Sequence, residues 1–140
     1  KLCELSSQGK RWKDKSPLTL PMQHPADLTV LSEKCLLMTY GIRNRGLMGI
    51  GVRISIDGGT NWRPPWVIHQ FGPEAKDIGY PSTVLLDKKG NLLTAFYTDY
   101  EPSLKKKPNR YRVLAKKWSL KDWLHPSIID SISDGKQLKI

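Results

Sequence analysis

Short runs of β-branched, aromatic and leucine residues recur along the chain, and clusters of turn-forming residues separate them. Runs of this length and composition are typical of β-strands. The predicted strands are Asp27–Leu31, Leu36–Ile42, Gly51–Ile56, Trp66–Gln70, Ser82–Leu86, Asn91–Thr98 and Tyr111–Trp118. Clusters such as Asp57-Gly58-Gly59 lie between them and favour turns. The pattern therefore predicts an all-β fold.

The C-terminal part of the chain carries weaker signals. Ser119 is placed to cap a single helical turn that holds Leu120, Trp123 and Leu124 and that ends before Pro126. From Pro126 onward the pattern leaves two alternatives open, a further strand or an irregular tail.

Two segments of the chain repeat when the sequence is shifted by 56 residues. The shift superimposes Pro25 on Pro81, Leu28 on Val84, Val30 on Leu86, Leu36-Leu37 on Leu92-Leu93, and Tyr40 on Phe96. The shared pattern is a proline, an apolar strand, a polar turn and a double-leucine strand that ends in an aromatic residue. A repeat of about 50 residues with four short antiparallel strands has the size of a β-propeller blade.

A second motif lies between the two copies. Residues from Ser55 to Trp62 fit the pattern Ser-x-Asp-x-Gly-x-x-Trp, with a predicted strand on each side. We expect Asp57 to accept hydrogen bonds from backbone N–H groups of its own hairpin, while Gly58 and Gly59 allow positive φ. Trp62 would then fold back as the apolar plug of the turn. The motif predicts a structural turn.

A degenerate copy of this motif lies near the start of the chain. Gly9 and Trp12 stand at the right offsets, but Ser7 takes the place of the aspartate. The third repeat keeps a tryptophan in Tyr111–Trp118 and lacks the rest of the motif.

The motif from Ser55 to Trp62 resembles the Asp-box of sialidases (neuraminidases) and of other Asp-box propellers. The resemblance implies part of a six-bladed β-propeller with four-stranded antiparallel blades. Its segments would be 1–22, the outer strands of a preceding blade; 23–72, a full blade; 73–118, the following blade; and 119–140, a helical turn and tail. These segments are too few to close a six-bladed ring, so they would leave open sheet edges. The remaining blades of a parent protein are therefore expected partners.

The order of motifs also resembles the late blades of exo-sialidases. An arginine loop precedes the Asp-box strand, and Gly79-Tyr80-Pro81-Ser82 opens the next inner strand. The resemblance places Tyr80 at the catalytic nucleophile and Arg45 or Arg43 at one arginine of the carboxylate-binding triad. A guanidinium binds a sialoside carboxylate bidentately, and a neutral tyrosine avoids the repulsion that an anionic nucleophile would meet.

Two further residues are candidates for substrate binding. The 56-residue shift makes His24 equivalent to Tyr80, each directly before a proline, and it makes Asp27 equivalent to Thr83. Residues at the same point of successive blades would line a common funnel. A plain loop histidine is the alternative for His24.

The chain also departs from the family pattern. Pro81 stands where the family has a small residue, and the acidic residue expected near Tyr97-Thr98 has Asp99 and Glu101 as its nearest counterparts. The other triad arginines, the aspartate acid/base and the activating glutamate are expected on earlier blades.

Composition narrows the possible partners. The 140 residues carry 23 Lys and Arg against 13 Asp and Glu, a formal net charge of +10. This charge fits either a basic surface or an anionic partner, but the lysine clusters fall at predicted turns without an RNA-binding motif, so we expect no nucleic acid. Cys3 and Cys35 match no metal spacing, and Cys35 is predicted to be a buried free thiol.

These observations leave two main functions. The first is the C-terminal part of a retaining, sialidase-like glycoside hydrolase that needs no metal or organic cofactor and cleaves terminal sialic acid or a related sugar. The alternative is a non-catalytic Asp-box propeller that binds glycans or a protein partner. No apolar run reaches the roughly 18 residues of a membrane span. The start at Lys1 suggests a processed or excised chain, and the resemblance implies a secreted or periplasmic location.

Overall fold

The chain forms three antiparallel β-sheets in a computed structural model that describes residues 3–6, 8–100 and 111–133. The strands are β1 (Cys3–Leu5), β2 (Trp12–Asp14), β3 (Gln23–Val30), β4 (Leu36–Ile42), β5 (Gly49–Ser55), β6 (Trp66–Gln70), β7 (Ile78–Leu85), β8 (Asn91–Thr98) and β9 (Arg112–Ser119). The hairpin β1–β2 is followed by the four-stranded sheet β3-β4-β5-β6 and the three-stranded sheet β7-β8-β9. The predicted all-β class is confirmed.

The end of the chain is partly as predicted. Ser119 caps a 3-10 turn, Leu120–Asp122, by accepting a hydrogen bond from the backbone N–H of Lys121. The α-helix α1 (Pro126–Ser133) follows, so both alternatives for this segment were wrong. Ile129 and Ile132, three residues apart, are buried on one face of the helix, and this tertiary contact stabilises a segment with a weak local signal.

The two central strands of the four-stranded sheet, β4 and β5, are buried on both faces, as expected from strands that are apolar at successive positions rather than at alternating ones. One face, with Leu37, Ile50 and Ile54, belongs to the main core, which also includes Leu92 and Phe96 of the three-stranded sheet. The sheets are therefore joined through a shared apolar core.

The opposite face of the four-stranded sheet holds a smaller cluster of Met38, Tyr40 and Ile42. Tyr40 lies so close to Gly51 that a Cβ there would stand 2.6 Å from the tyrosine ring. Only glycine fits this position of β5.

A line of hydroxyl groups also connects the two larger sheets. Thr39 Oγ1 lies 3.0 Å from Thr83 Oγ1, which lies 2.9 Å from Thr94 Oγ1. The indole N–H of Trp118 donates to Thr94 at 2.9 Å. All three threonine side chains are buried, so these bonds satisfy polar groups that would otherwise destabilise the core.

Strand pairing corrects one detail of the repeat. Leu36 and Leu92 are 56 residues apart in the sequence. The residues that pair with them, Val30 and Leu85, are only 55 residues apart. The connection between the second pair of strands is therefore one residue longer than that between the first.

The predicted equivalences on β3 and β7 are consequently wrong by one position. By strand pairing, Pro25 rather than His24 is equivalent to Tyr80, and the equivalent of Asp27 is Ser82 rather than Thr83. A shift read from the sequence alone has no means of placing the extra residue in the turn.

Candidate functional site

Tyr80 stands out on β7 by both its backbone and its exposure. Its φ of 47° lies in the left-handed region that non-glycine residues rarely occupy, and 68% of the residue is exposed. Its ring lies 5.7 Å from the ring of Tyr97, centroid to centroid, at an interplanar angle of 30°. Such strained residues concentrate at functional sites.

Asp77 is the centre of a polar cluster next to this aromatic pair. Its carboxylate accepts a hydrogen bond from Arg43 Nη2, and also accepts from the hydroxyls of Tyr97 and Tyr111, each at 3.1 Å. Arg43 Nη2 also donates to Tyr97 Oη at 3.3 Å. The chain thus brings together residues that lie just after β4, just before β7, on β8 and just before β9.

The ionisation of these groups follows from their contacts. Burial acts to raise the pKa of Asp77, but the hydrogen bonds from Arg43, Tyr111 and Tyr97 outweigh it and hold the pKa below its ordinary value. Burial and the hydrogen bond to Asp77 raise the pKa of Tyr97, and the hydrogen bond to Asp77 raises that of Tyr111. Tyr97 and Tyr111 are therefore neutral phenols that donate hydrogen bonds to a carboxylate.

Asp77 was not among the residues singled out from the sequence. The acid was expected near Tyr97-Thr98 at the end of β8. Its nearest counterpart, Asp99, accepts hydrogen bonds from the backbone N–H groups of Lys76 and Asp77 at 3.1 and 3.0 Å. Asp99 thus positions the segment that carries Asp77, and Glu101 lies outside the described residues. The only sequence feature that could have suggested Asp77 is its place three residues before Tyr80.

The two candidate arginines have different surroundings. Arg43 is half-buried in the cluster, and its backbone N–H donates to the carbonyl of Met22 at 2.8 Å. Arg45 lies two residues further along the same loop and is exposed. The structure therefore groups Arg43, rather than Arg45, with the aromatic residues beside Tyr80.

His24 and Asp27 both line a cavity of about 340 Å³ on the face of the four-stranded sheet that bears Met38. His24 is exposed. The Asp27 carboxylate accepts a hydrogen bond from the backbone N–H of Thr83 at 2.8 Å, which ties β3 to β7. Asp27 therefore has a structural contact besides its place in the cavity wall.

The start of β7 lies against the start of β3 and the end of β4. A Cβ on Gly41 would stand 3.1 Å from the carbonyl oxygen of His24 and 3.2 Å from the Cα of Gly79. A side chain at Gly41 would push these backbones apart, since real Cβ contacts are rarely so short. Glycine at this point allows His24 and Tyr80 to share one end of the two sheets.

The predicted turn at the Asp-box has the expected contacts. Asp57 Oδ1 accepts from the backbone N–H of Asn61 at 2.9 Å, and Ser55 Oγ accepts from the N–H of Gly59 at 2.8 Å. The indole of Trp62 donates to the carbonyl of Gly59 at 3.1 Å and packs against the Met38 cluster. Hydrogen bonds from Asn61 lower the pKa of Asp57, so the turn holds a carboxylate.

The copy near the start of the chain is different. Trp12 is exposed rather than folded back as a plug, and Ser7 lies outside the described residues. Arg53, which leads into the Asp-box, donates to the carbonyls of Arg63 and Leu18, so its role is structural.

Within residues 3–6, 8–100 and 111–133, no group of three or more His, Cys, Asp and Glu side chains is arranged to hold a metal ion. No helix in the same ranges is long and apolar enough to cross a membrane. Comparisons with protein-family models, curated proteins and solved structures found no match.

Proposed function

We propose that this chain forms part of a sialidase-like β-propeller glycoside hydrolase in which Tyr80 is the nucleophile. The observation that carries the proposal is the exposed, backbone-strained Tyr80 beside the Arg43–Asp77 ion pair. An exposed phenol near a fixed guanidinium is suited to a sugar that carries a carboxylate next to its reacting carbon. The resemblance of the Asp-box supplies the family.

The propeller itself is part of the proposal. Two successive sheets of related sequence, joined by a shared core and by the bond from Thr83 to Asp27, are the arrangement expected of adjacent blades. The remaining blades would come from the rest of the parent protein, which we propose to be secreted or periplasmic.

The chemistry assigns a separate task to each residue. Asp77 contacts Nη2 of Arg43, and this contact would orient the guanidinium toward the substrate carboxylate. The oxygen of Tyr80 would form a bond to the anomeric carbon as the glycosidic C–O bond breaks. The phenolic proton would pass to the carboxylate of the activating glutamate, and the leaving oxygen would take a proton from the aspartate acid/base, both expected on other blades. Water would then hydrolyse the glycosyl-tyrosine.

One observation favours the alternative, a non-catalytic propeller that binds glycans or a protein. Among the described residues, the Tyr80 hydroxyl makes no hydrogen bond to a carboxylate, because Asp77 instead accepts from Tyr97 and Tyr111. Pro81, directly after Tyr80, is a second departure from the enzyme pattern.

An activity assay separates these functions. The native protein that contains this chain is incubated with a fluorogenic α-sialoside, and Tyr80→Phe is compared with Tyr100→Phe, which removes a hydroxyl outside the cluster. If the protein is the proposed hydrolase, Tyr80→Phe should lose activity and Tyr100→Phe should keep it. A folded native protein without activity, or equal activity in both variants, would exclude Tyr80 as the nucleophile.

A further inference from the structure

We propose that the outer edge of β9 binds an extended acidic segment of a second protein, which adds to the three-stranded sheet as its fourth strand. Acidic side chains of this segment face Lys116 and Lys117, and apolar side chains face the residues before them. This binding does not depend on the role proposed for Tyr80.

The two larger sheets differ by one strand. In the first sheet, β6 follows the Asp-box turn and pairs antiparallel with β5. After β9 the chain instead turns toward the connection between β7 and β8, where the backbone N–H of Leu120 donates to the carbonyl of Gly90 at 2.9 Å and Ile129 lies beside the same glycine. In the part of the chain that the structure describes, no strand pairs with the outer edge of β9.

The exposure of β9 differs from that of its counterpart β5. In the pairings with β8 and β4, Val113 and Ala115 take the positions that Ile50 and Val52 take in the first sheet. Ile50 and Val52 are fully buried, whereas Val113 is 77% exposed and Ala115 is exposed. Leu114, on the other face of β9, is also exposed. An unpaired edge with exposed apolar side chains is a template for a further strand.

The same edge is positively charged. The strand Arg112–Ser119 contains Lys116 and Lys117 and no Asp or Glu. Because successive side chains of a strand point to opposite faces, each face of the edge carries one of these two lysines. Neither lysine forms an ion pair with any residue that the structure describes. Burial and the charge of Lys116 lower the pKa of His69 on β6, so the effect of this charge extends beyond its own strand.

The order of residues along β9 defines the partner. A strand that pairs antiparallel, as β6 does with β5, reads β9 in reverse. It would place two acids opposite Lys117 and Lys116 and then three apolar residues opposite Ala115, Leu114 and Val113. A second copy of β9 does not fit this pattern, because it has no acid to offer the lysines.

Affinity and specificity would have different sources. Main-chain hydrogen bonds along the edge would supply affinity for any extended segment. The two lysines would select an acidic segment and reject a basic one, since like charges directly opposite each other on neighbouring strands are destabilising.

Fluorescence anisotropy with labelled peptides tests this binding in the native protein that contains this chain. The acidic peptide is Thr-Thr-Glu-Glu-Val-Val-Val-Thr, which has the length of β9, and the control peptide has lysine in place of both glutamates. Two further acidic peptides are N-methylated at alternate residues, one in each of the two possible patterns.

Two pairs of substitutions probe the charge. Lys116→Glu with Lys117→Glu reverses the charge of the edge. Lys88→Glu with Lys89→Glu makes the same change in another adjacent pair of lysines, in the exposed turn between β7 and β8, and is the matched control.

We expect the acidic peptide to bind about tenfold more tightly than the lysine peptide, and we expect the substitutions in β9 to invert this preference while the control keeps it. One pattern of N-methylation should abolish binding and the other should preserve it, because only alternate N–H groups of an added strand face the sheet.

Three results would overturn the proposal. They are failure of the native protein to bind the acidic peptide, the same preference in the β9 variant as in the wild-type protein, and equal effects of the two N-methylation patterns. The inverted preference includes a gain of binding to the lysine peptide, which misfolding of the variant would not produce. None of these results bears on the assay of Tyr80→Phe, so this proposal and the proposed hydrolase can fail separately.

Discussion

The carboxylate of Asp27 accepts a hydrogen bond from the backbone N–H of Thr83 at 2.8 Å, across the junction of the two larger sheets. This contact gives the N–H group of a residue on the edge strand β7 an acceptor in the neighbouring sheet. A candidate substrate ligand thus has a structural role in joining the sheets.

Replacing Asp27 with Ala should therefore destabilise the fold. The backbone N–H of the half-buried strand loses its acceptor, and we expect the free energy of unfolding to fall by about 1–3 kcal/mol. Chemical denaturation measures the change. Glu33→Ala, in the exposed turn after β3, is the control, and equal stability of the two variants would show that the Asp27 contact contributes nothing.

The left-handed backbone of Tyr80 predicts a difference between two small substitutions. Tyr80→Ala keeps a Cβ and its conformational cost, whereas Tyr80→Gly removes both. We expect the glycine variant to be more stable than the alanine variant by about 1 kcal/mol, as measured by thermal unfolding. An alanine variant of equal or greater stability would contradict strain at this position.

Asp77 predicts a dependence of stability on pH. A carboxyl group whose pKa is lowered by folding stabilises the folded state above its unfolded pKa, here the ordinary aspartate value near 3.8. This contribution disappears as pH falls through the folded pKa. The Tm of the wild-type protein should therefore exceed that of Asp77→Asn at pH 7, and the difference should shrink below about pH 4.

Melting curves between pH 7 and pH 3 test this dependence. Asp122→Asn, an exposed carboxyl in the 3-10 turn, provides the comparison and should show no such narrowing. A difference between wild type and Asp77→Asn that stays constant across the range would mean that ionisation of Asp77 does not stabilise the fold.

The two cysteines should react at different rates. Cys35 is buried and free, as predicted, and burial raises its pKa to about 11, whereas Cys3 is exposed. Since the thiolate is the reactive form, iodoacetamide at pH 8 should modify Cys3 well before Cys35, as seen by mass spectrometry. Comparable modification of Cys35 in the folded protein would contradict its buried position, and denaturant should abolish the difference.

The strands were predictable because their signals are local. The bounds of β4, β6 and β8 agree with the sequence prediction, whereas β3 ends at Val30 rather than Leu31 and begins at Gln23 rather than Asp27. In that extension the apolar and turn signals are mixed, and pairing with β4 decides the boundary.

The site was less predictable because it depends on contacts between distant residues. Tyr80 and Arg43 were predicted from the order of motifs, whereas Asp77 contacts Arg43 only because the end of β4 and the start of β7 meet in the fold. The helix α1 was missed for the same reason, since its isoleucines gain their partners from the rest of the fold.

The hydroxyl line from Thr39 to Trp118 has a consequence for the alignment of the two sheets. Methyl groups would pack almost equally well if one sheet slid along the other, whereas hydrogen bonds are directional and lost on a small displacement. Thr83→Val would keep the shape of the side chain but remove this directional constraint. The buried hydroxyls thus select one relative position of the sheets from several that apolar contact alone would allow.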